Sequence, residues 1–129
     1  MAVKVDKAWV PDAPGTSLYI RPFLFGTDPT LALHGVHEAT FAVILSPSGS
    51  YFKNGLQPVP IMVETEDVRA VRGGTGEAKC GGNYGAANRA GDRAIEKGFS
   101  QVLWLDGVER KYVEEGGGMN VMFLSLIHI

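Results

Sequence analysis

The chain has 129 residues, of which 45% are hydrophobic and 20% are charged, and this composition favours a globular protein over a disordered or fibrous one. Its 12 lysines and arginines are interspersed with 14 aspartates and glutamates, so no basic stripe indicates binding to nucleic acid or to an anionic membrane. Cys80 is the single cysteine, which excludes an internal disulfide, and no run approaches the roughly 20 apolar residues of a membrane span. We expect a cytoplasmic protein with small molecules or protein as partners.

The first half of the chain predicts two strands. The run SLYIRPFLFG predicts a strand over residues 17–25, at a sheet edge or bulged at Pro22, because proline cannot donate to a ladder. HEATFAVIL, residues 37–45, predicts a second strand that ends in a turn at 46–49 and can pair antiparallel with the first. Residues 51–58, YFKNGLQP, contain Asn-Gly and a proline, and we interpret them as a connection between domains.

The second half begins with a predicted strand over residues 58–64 and a short helical or extended piece over 66–72. Residues 73–85, GGTGEAKCGGNYG, are rich in glycine and predict a loop that bends sharply or approaches a ligand closely. QVLWLD and KYVEE, joined by the turn GVER, predict a hairpin over residues 101–115.

Between that loop and that hairpin, residues 84–97 predict a helix that ends at Gly98. Helical spacing places four apolar side chains on one face of this helix, namely Ala87, Ala90, Ala94 and Ile95.

Lys79 lies between two glycine-rich pieces, so its amine projects from backbone that can pack closely on a ligand. A single lysine in a loop is most often a solvated charge, and this segment has neither the Gly-Lys-Ser/Thr of a P-loop nor a GxGxxG dinucleotide pattern. These residues therefore give no support to nucleotide binding.

Three segments together resemble the branched-chain amino-acid aminotransferases, which are pyridoxal 5'-phosphate (PLP) enzymes of fold type IV. They are SLYIRP at 17–22, GGTGEAKCGGNYG at 73–85 and EEGGGMN at 114–120, and the resemblance runs through residues 5–123. It implies the fold class α+β, as a fragment of the two-domain D-amino-acid aminotransferase-like PLP fold that is truncated at both ends.

The resemblance also implies a domain assignment. Residues 1–53 correspond to the C-terminal part of the small domain and the start of the interdomain connection, and residues 54–123 to the N-terminal part of the large PLP-binding domain. Residues 124–129, LSLIHI, match the translation of a common sequencing adapter, and we interpret them as a non-native tail.

The resemblance assigns three residues to the cofactor. Lys79 matches the lysine that binds PLP covalently and then moves a proton between substrate and cofactor. Tyr84 matches the tyrosine that bonds to the phenolic oxygen of PLP, and Glu115 matches the carboxylate that keeps the pyridine nitrogen protonated. Gly116 stands where relatives commonly have an apolar side chain beneath the ring.

It also assigns three residues to the substrate pocket. Tyr19 and Arg21 alternate to the same face of the first predicted strand, and Tyr51 matches an aromatic residue between the domains. Aromatic walls suit aliphatic side chains, although they do not by themselves single out leucine, isoleucine and valine.

The implied function is transfer of an amino group from leucine, isoleucine or valine to 2-oxoglutarate by a homodimeric enzyme, with this fragment itself inactive. Alternatives are a D-amino-acid aminotransferase or an aminodeoxychorismate lyase of the same fold, and a non-catalytic fragment. His34, His37 and Glu38 match no zinc motif and no further clustered ligand accompanies them in the sequence, so we predict no metal site.

Overall fold

The computed structural model describes residues 2–50, 55 and 57–127, and the chain forms two compact units, Met1–Gln57 and Pro58–Ile129. The assignment of these units to domains of a larger enzyme stays a prediction. Tyr51 and most of the predicted connection around it lie outside the described residues. In the part of the chain that is described, no helix has the length and apolar character needed to cross a membrane.

The first unit is built on one antiparallel pair of strands. A short helix α1 (Ala2–Val5) and a 3-10 turn (Lys7–Trp9) precede β1 (Ser17–Gly26), which pairs with β2 (Ala39–Ser48) in an unbroken register. Both predicted strands and their antiparallel pairing are confirmed.

The predicted turn at 46–49 is wrong, because β2 continues to Ser48 and pairs with the start of β1. Pro22 lies opposite Val43 without a bulge. A strand in a two-stranded sheet is an edge strand on one side, which is where a proline is tolerated. Among the described residues of this unit none is buried, since a two-stranded ribbon has no layer to cover it.

The described residues of the second unit form a three-stranded sheet in the order β3, β4, β5, together with one helix. β3 (Ile61–Val63) pairs parallel with β4 (Gln101–Leu105), and the helix α2 (Gly82–Glu96) lies between them in sequence, as a parallel crossover requires. β5 (Val113–Gly116) pairs antiparallel with β4, so the predicted hairpin is confirmed. The mixed sheet and single helix agree with the predicted α+β class.

Helix α2 confirms the predicted helix, although it begins two residues earlier than predicted. It ends where Gly98 adopts a φ of 82° and donates its N–H to the carbonyl of Ile95, a conformation that favours glycine. Residues 66–72, predicted as a short helical or extended piece, form no helix and no paired strand.

The core of the second unit lies between α2 and β4. Ala90 and Ala94 of the helix and Val102 and Trp104 of the strand are at most 2% exposed, and Met62, Ala87 and Phe99 pack against them. Ile95 was predicted on the same face, but it is 68% exposed because it follows Ala94 by one residue and is therefore turned about 100° around the helix.

A buried ion pair connects α2 to the segment that follows β3. Arg93 Nη2 lies 2.5 Å from Glu64 Oε2, and the Glu64 carboxylate also accepts the backbone N–H groups of Glu66 and Asp67. Burial raises the pKa of Glu64, but these two N–H groups and the Arg93 guanidinium outweigh burial and hold the pKa below its usual value. The ionised carboxylate therefore stabilises the fold.

Asp106 organises the turn between β4 and β5. Its carboxylate accepts backbone N–H groups from the residues that form the turn, Val108, Glu109, Lys111 and Tyr112. The N–H groups of Tyr112, Lys111 and Glu109 lower the pKa of Asp106 far below its usual value. This turn fixes where β5 begins, two residues later than predicted.

Replacing Trp104 by Ala should lower the free energy of unfolding of the second unit by about 3–5 kcal/mol, because it removes the largest side chain of the core. Trp104→Phe should cost less, since the buried Nε1 has no hydrogen-bond partner among the described residues. Urea unfolding followed by circular dichroism measures both. Trp9, which is exposed, supplies the matched control. A loss of unfolding free energy in Trp9→Ala equal to that in Trp104→Ala would contradict the assignment of the core.

The stability of the chain should fall as the pH drops below about 5. An unfolded Glu64 binds its proton near the usual value of 4.5 while the folded one resists it, so acid favours the unfolded state. Glu64→Gln should be less stable at neutral pH by about 1.5–3 kcal/mol and should lose less stability on acidification. Urea midpoints measured from pH 7 to pH 3 test this, with Glu96→Gln as the surface control, and an unchanged slope in Glu64→Gln would contradict it.

Candidate active site

Lys79 lies in a loop that is tied to the start of α2. The backbone N–H of Ala78 donates to the carbonyl of Thr75, and that of Cys80 donates to the carbonyl of Ala78. The loop therefore turns twice within six residues and leads into the helix three residues after Lys79. The Lys79 side chain is exposed.

Asn83, in the first turn of α2, fixes this loop with its side chain. Its amide nitrogen donates to the carbonyls of Thr75 and Ala78 at 2.7 Å each, and its amide oxygen accepts the Thr75 hydroxyl at 2.7 Å. Sequence reasoning missed this role. The signal was present, because an asparagine at a helix start commonly bonds to nearby backbone.

Tyr84 follows in the same helical turn and contacts the lysine. The Lys79 Nζ lies 5.2 Å from the centroid of the Tyr84 ring, within cation–π range. Tyr84 is 42% exposed, so its ring is accessible to a ligand.

Glu115 reaches the same region from β5. It lies directly opposite Trp104 in the antiparallel ladder, and cross-strand partners place their side chains on the same face of a sheet. Since Trp104 packs beneath α2, Glu115 lies on the helix side of the sheet. The register of the hairpin thus brings the carboxylate to the face on which Lys79 and Tyr84 lie.

Arg69 is a charged residue of this site that sequence reasoning missed. Its Nη1 lies 2.7 Å from Glu115 Oε1, and its side chain is 22% exposed. It lies in residues 66–72, which have no regular structure, and its only signal in the sequence is a cation shortly before the glycine-rich segment.

One cavity of about 280 Å³ brings these residues together. All three residues that the resemblance assigns to the cofactor line it, namely Lys79, Tyr84 and Glu115. Arg69, Asn83, Ala87 and residues 116–120 complete the wall. An amine, a phenol, a carboxylate and a guanidinium therefore line one space, where they offer a ligand hydrogen-bond donors and a charged acceptor. Gly116 is buried there, and a Cβ on it would lie 3.1–3.2 Å from Met119 and Val121.

Tyr19 and Arg21 lie in the first unit, on β1. The Arg21 guanidinium donates to the Tyr19 hydroxyl, and its carbon lies 5.0 Å from the centroid of the Tyr19 ring. The two side chains share a face of the strand, as alternation predicts, and both are exposed. Their role at the substrate stays a prediction, as does that of Tyr51.

The two histidines of the β1–β2 loop have a third polar neighbour that the sequence did not indicate. Ligand atoms of Asp28, His34 and His37 lie within 4.8 Å of one another. The Asp28 carboxylate accepts the backbone N–H groups of His37 and Glu38, which accounts for its position as part of the loop. The two imidazole rings are exposed and stack in parallel, with their centroids 5.2 Å apart.

Known proteins share more than half of the residues of this chain. No family model matches the chain. It is 58% identical over 121 residues to branched-chain-amino-acid aminotransferase 2 of Bacillus subtilis, covering 94% of this chain and 33% of the relative. It is 53% identical over 123 residues to the branched-chain-amino-acid aminotransferase of Mycobacterium tuberculosis, covering 95% of this chain and 33% of the relative.

The fold is similar to that of a solved enzyme. The crystal structure of a branched-chain amino acid aminotransferase from T.th. with pyridoxamine 5'-phosphate matches 79% of this chain and 34% of its own, with a TM-score of 0.67 and 28% identity. The chain spans about a third of the length of the curated relatives it matches. Over nearly its whole length the chain is similar to part of enzymes named branched-chain-amino-acid aminotransferases.

Proposed function

We propose that this chain supplies part of the active site of a PLP-dependent enzyme that transaminates leucine, isoleucine and valine with 2-oxoglutarate. One observation carries the proposal: Lys79, Tyr84 and Glu115, which come from a loop, a helix and a strand, line a single cavity. The similarity to enzymes named for branched-chain amino acids favours this substrate class over D-amino acids or aminodeoxychorismate.

The residues of the cavity fit the cofactor. PLP, when bound, supplies an electron sink for the bond that breaks at the substrate Cα. Lys79 would hold the cofactor through its amine, and the same amine, when free, would take the proton from the substrate Cα, so one residue would serve as tether and as acid/base. The Tyr84 hydroxyl would donate to the phenolic oxygen of PLP. The Glu115 carboxylate would accept the N–H of the pyridine ring and hold that proton in place.

The substrate pocket and the assembly belong to the same proposal. Tyr19, Arg21 and Tyr51 line the pocket, where burial of a few methylenes discriminates by about 1–3 kcal/mol.

The enzyme works as a homodimer in the cytoplasm. Support for this location comes from the single cysteine, which fits a reducing compartment.

A chimera tests the proposal. Residues 5–123 replace the matching segment of the Bacillus subtilis enzyme, and transamination of leucine with 2-oxoglutarate is measured. The chimera should keep activity within about tenfold of the parent, and Lys79→Ala in it should lower kcat by more than about 100-fold, because the nucleophile and the proton carrier are one group. Lys97→Ala, an exposed lysine just after α2, is the matched control. An active Lys79→Ala chimera, or a folded but inactive chimera, would overturn the proposal.

The chain of 129 residues on its own should show no appreciable transamination of leucine. Its cavity is open, with Lys79 exposed and Tyr84 42% exposed, so water reaches the atoms that would react. Activity is assayed with leucine, 2-oxoglutarate and excess PLP. Turnover comparable to that of the active chimera would contradict this prediction and show that these residues suffice for catalysis.

A further inference from the structure

We infer that Arg69 is a positioning residue that aims the Glu115 carboxylate at the ring nitrogen of the bound cofactor. The inference rests on the proposed function and adds to it a residue that the resemblance did not assign. Arg69 Nη1 contacts Oε1 of Glu115 at 2.7 Å, and both residues line the cavity with Lys79. A carboxylate held through one oxygen keeps its second oxygen free to accept another N–H.

The need for such a contact follows from the exposure of Glu115. Its side chain is 42% exposed and lies near the end of a four-residue strand, where packing does little to restrict its rotamers. The guanidinium of Arg69 is less exposed, at 22%, and presents donors in a rigid planar fork. The more fixed partner therefore orients the more mobile one.

Glycines hold the backbone on both sides of Arg69. A Cβ on Gly107 would lie 2.9 Å from Val68 Cγ1, and a Cβ on Gly76 would lie 2.5 Å from Ala70 Cβ. Distances this short leave no room for a side chain at either glycine. The residues that flank Arg69 are thus packed against the β4–β5 turn and against the glycine-rich loop that carries Lys79.

Upstream, side chains anchor the same segment. Arg93 of α2 contacts Asp67 at 3.1 Å as well as Glu64, and Arg110 Nη1 donates to the carbonyl of Thr65 at 2.6 Å. The segment that carries Arg69 is therefore tied to the helix and to the β4–β5 turn, although it has no regular structure. A residue on such a fixed backbone is suited to positioning a neighbour.

The test uses the 129-residue chain and two aldehydes, PLP and its 1-deaza analogue, in which a carbon replaces the ring nitrogen. Each is trapped on lysines with borohydride, and mass spectrometry gives the extent of trapping at Lys79 and at Lys97 as a function of concentration. At each lysine, the preference is the extent of trapping by PLP divided by that by the analogue. The preference at Lys79 is then divided by the preference at Lys97, and this ratio isolates the interaction with the ring nitrogen. This ratio should be about tenfold in the unaltered chain, as expected for one hydrogen bond to a charged group.

Arg69→Gln should reduce the ratio to about threefold or less, and Arg69→Lys should restore part of it, because a cation returns without the fork. Glu115→Gln should abolish it, and the double variant should match Glu115→Gln alone. A full ratio in Arg69→Gln together with a lost ratio in Glu115→Gln would overturn this inference and leave the proposed function standing.

Three other outcomes of this test would also contradict the inference. If Glu115→Gln keeps the full ratio, or the unaltered chain shows none, the role of Glu115 falls and the inference with it. If Arg69→Gln weakens trapping of both aldehydes equally, Arg69 contacts the phosphate rather than acting through Glu115. Loss of fold is recognised separately, because circular dichroism of each variant is compared with that of the unaltered chain.

Discussion

The packing of α2 on β4 is the constraint on which the site depends. Two alanines of the helix, Ala90 and Ala94, allow it to lie close over Val102 and Trp104. This contact places the start of the helix, with the loop that carries Lys79, over one face of the sheet. Because Glu115 is the cross-strand partner of Trp104, the same contact decides on which face the carboxylate lies. The core and the candidate site are therefore two consequences of one helix–sheet contact.

Ion pairs hold the part of the second unit that this small core does not reach. Four buried apolar residues fix the helix on the sheet, but they do not reach the irregular segment between β3 and the glycine-rich loop. Arg93 reaches it by pairing with Glu64 and Asp67. A buried pair is a weak source of net stability, but it specifies one arrangement, since removal of one partner leaves a charge without compensation. Here the ion pair fixes the segment of chain that continues to Arg69.

Local signals in the sequence were sufficient for most elements of the fold, whereas Lys79, Tyr84 and Glu115 were assigned to a cofactor by resemblance, and that assignment stays a prediction. The helix, the antiparallel pair β1–β2 and the β4–β5 hairpin follow from periodicity and turn residues. The parallel pairing of β3 with β4 did not follow, because three residues of strand carry no signal of their partner. The turn at Ser46 failed because Ser-Pro-Ser predicts a turn locally, whereas pairing with the start of β1 extends the strand. Arg69 was missed because its role depends on contacts that only the folded chain creates, whereas Asn83 carried a signal, its place at a helix start, that was overlooked.

Close contacts at glycines hold the irregular segment between β3 and α2 in place. Gly76 and Gly107 approach Ala70 and Val68 too closely for any Cβ, so the segment between β3 and α2 is held by contact with two loops rather than by a ladder. Gly73 adopts a φ of 81°, which a residue with a side chain rarely does, and it lets the chain leave that segment. Such a segment has few conformations compatible with its neighbours. A guanidinium carried on it therefore keeps a fixed place beside Glu115 even though no helix or strand supports it.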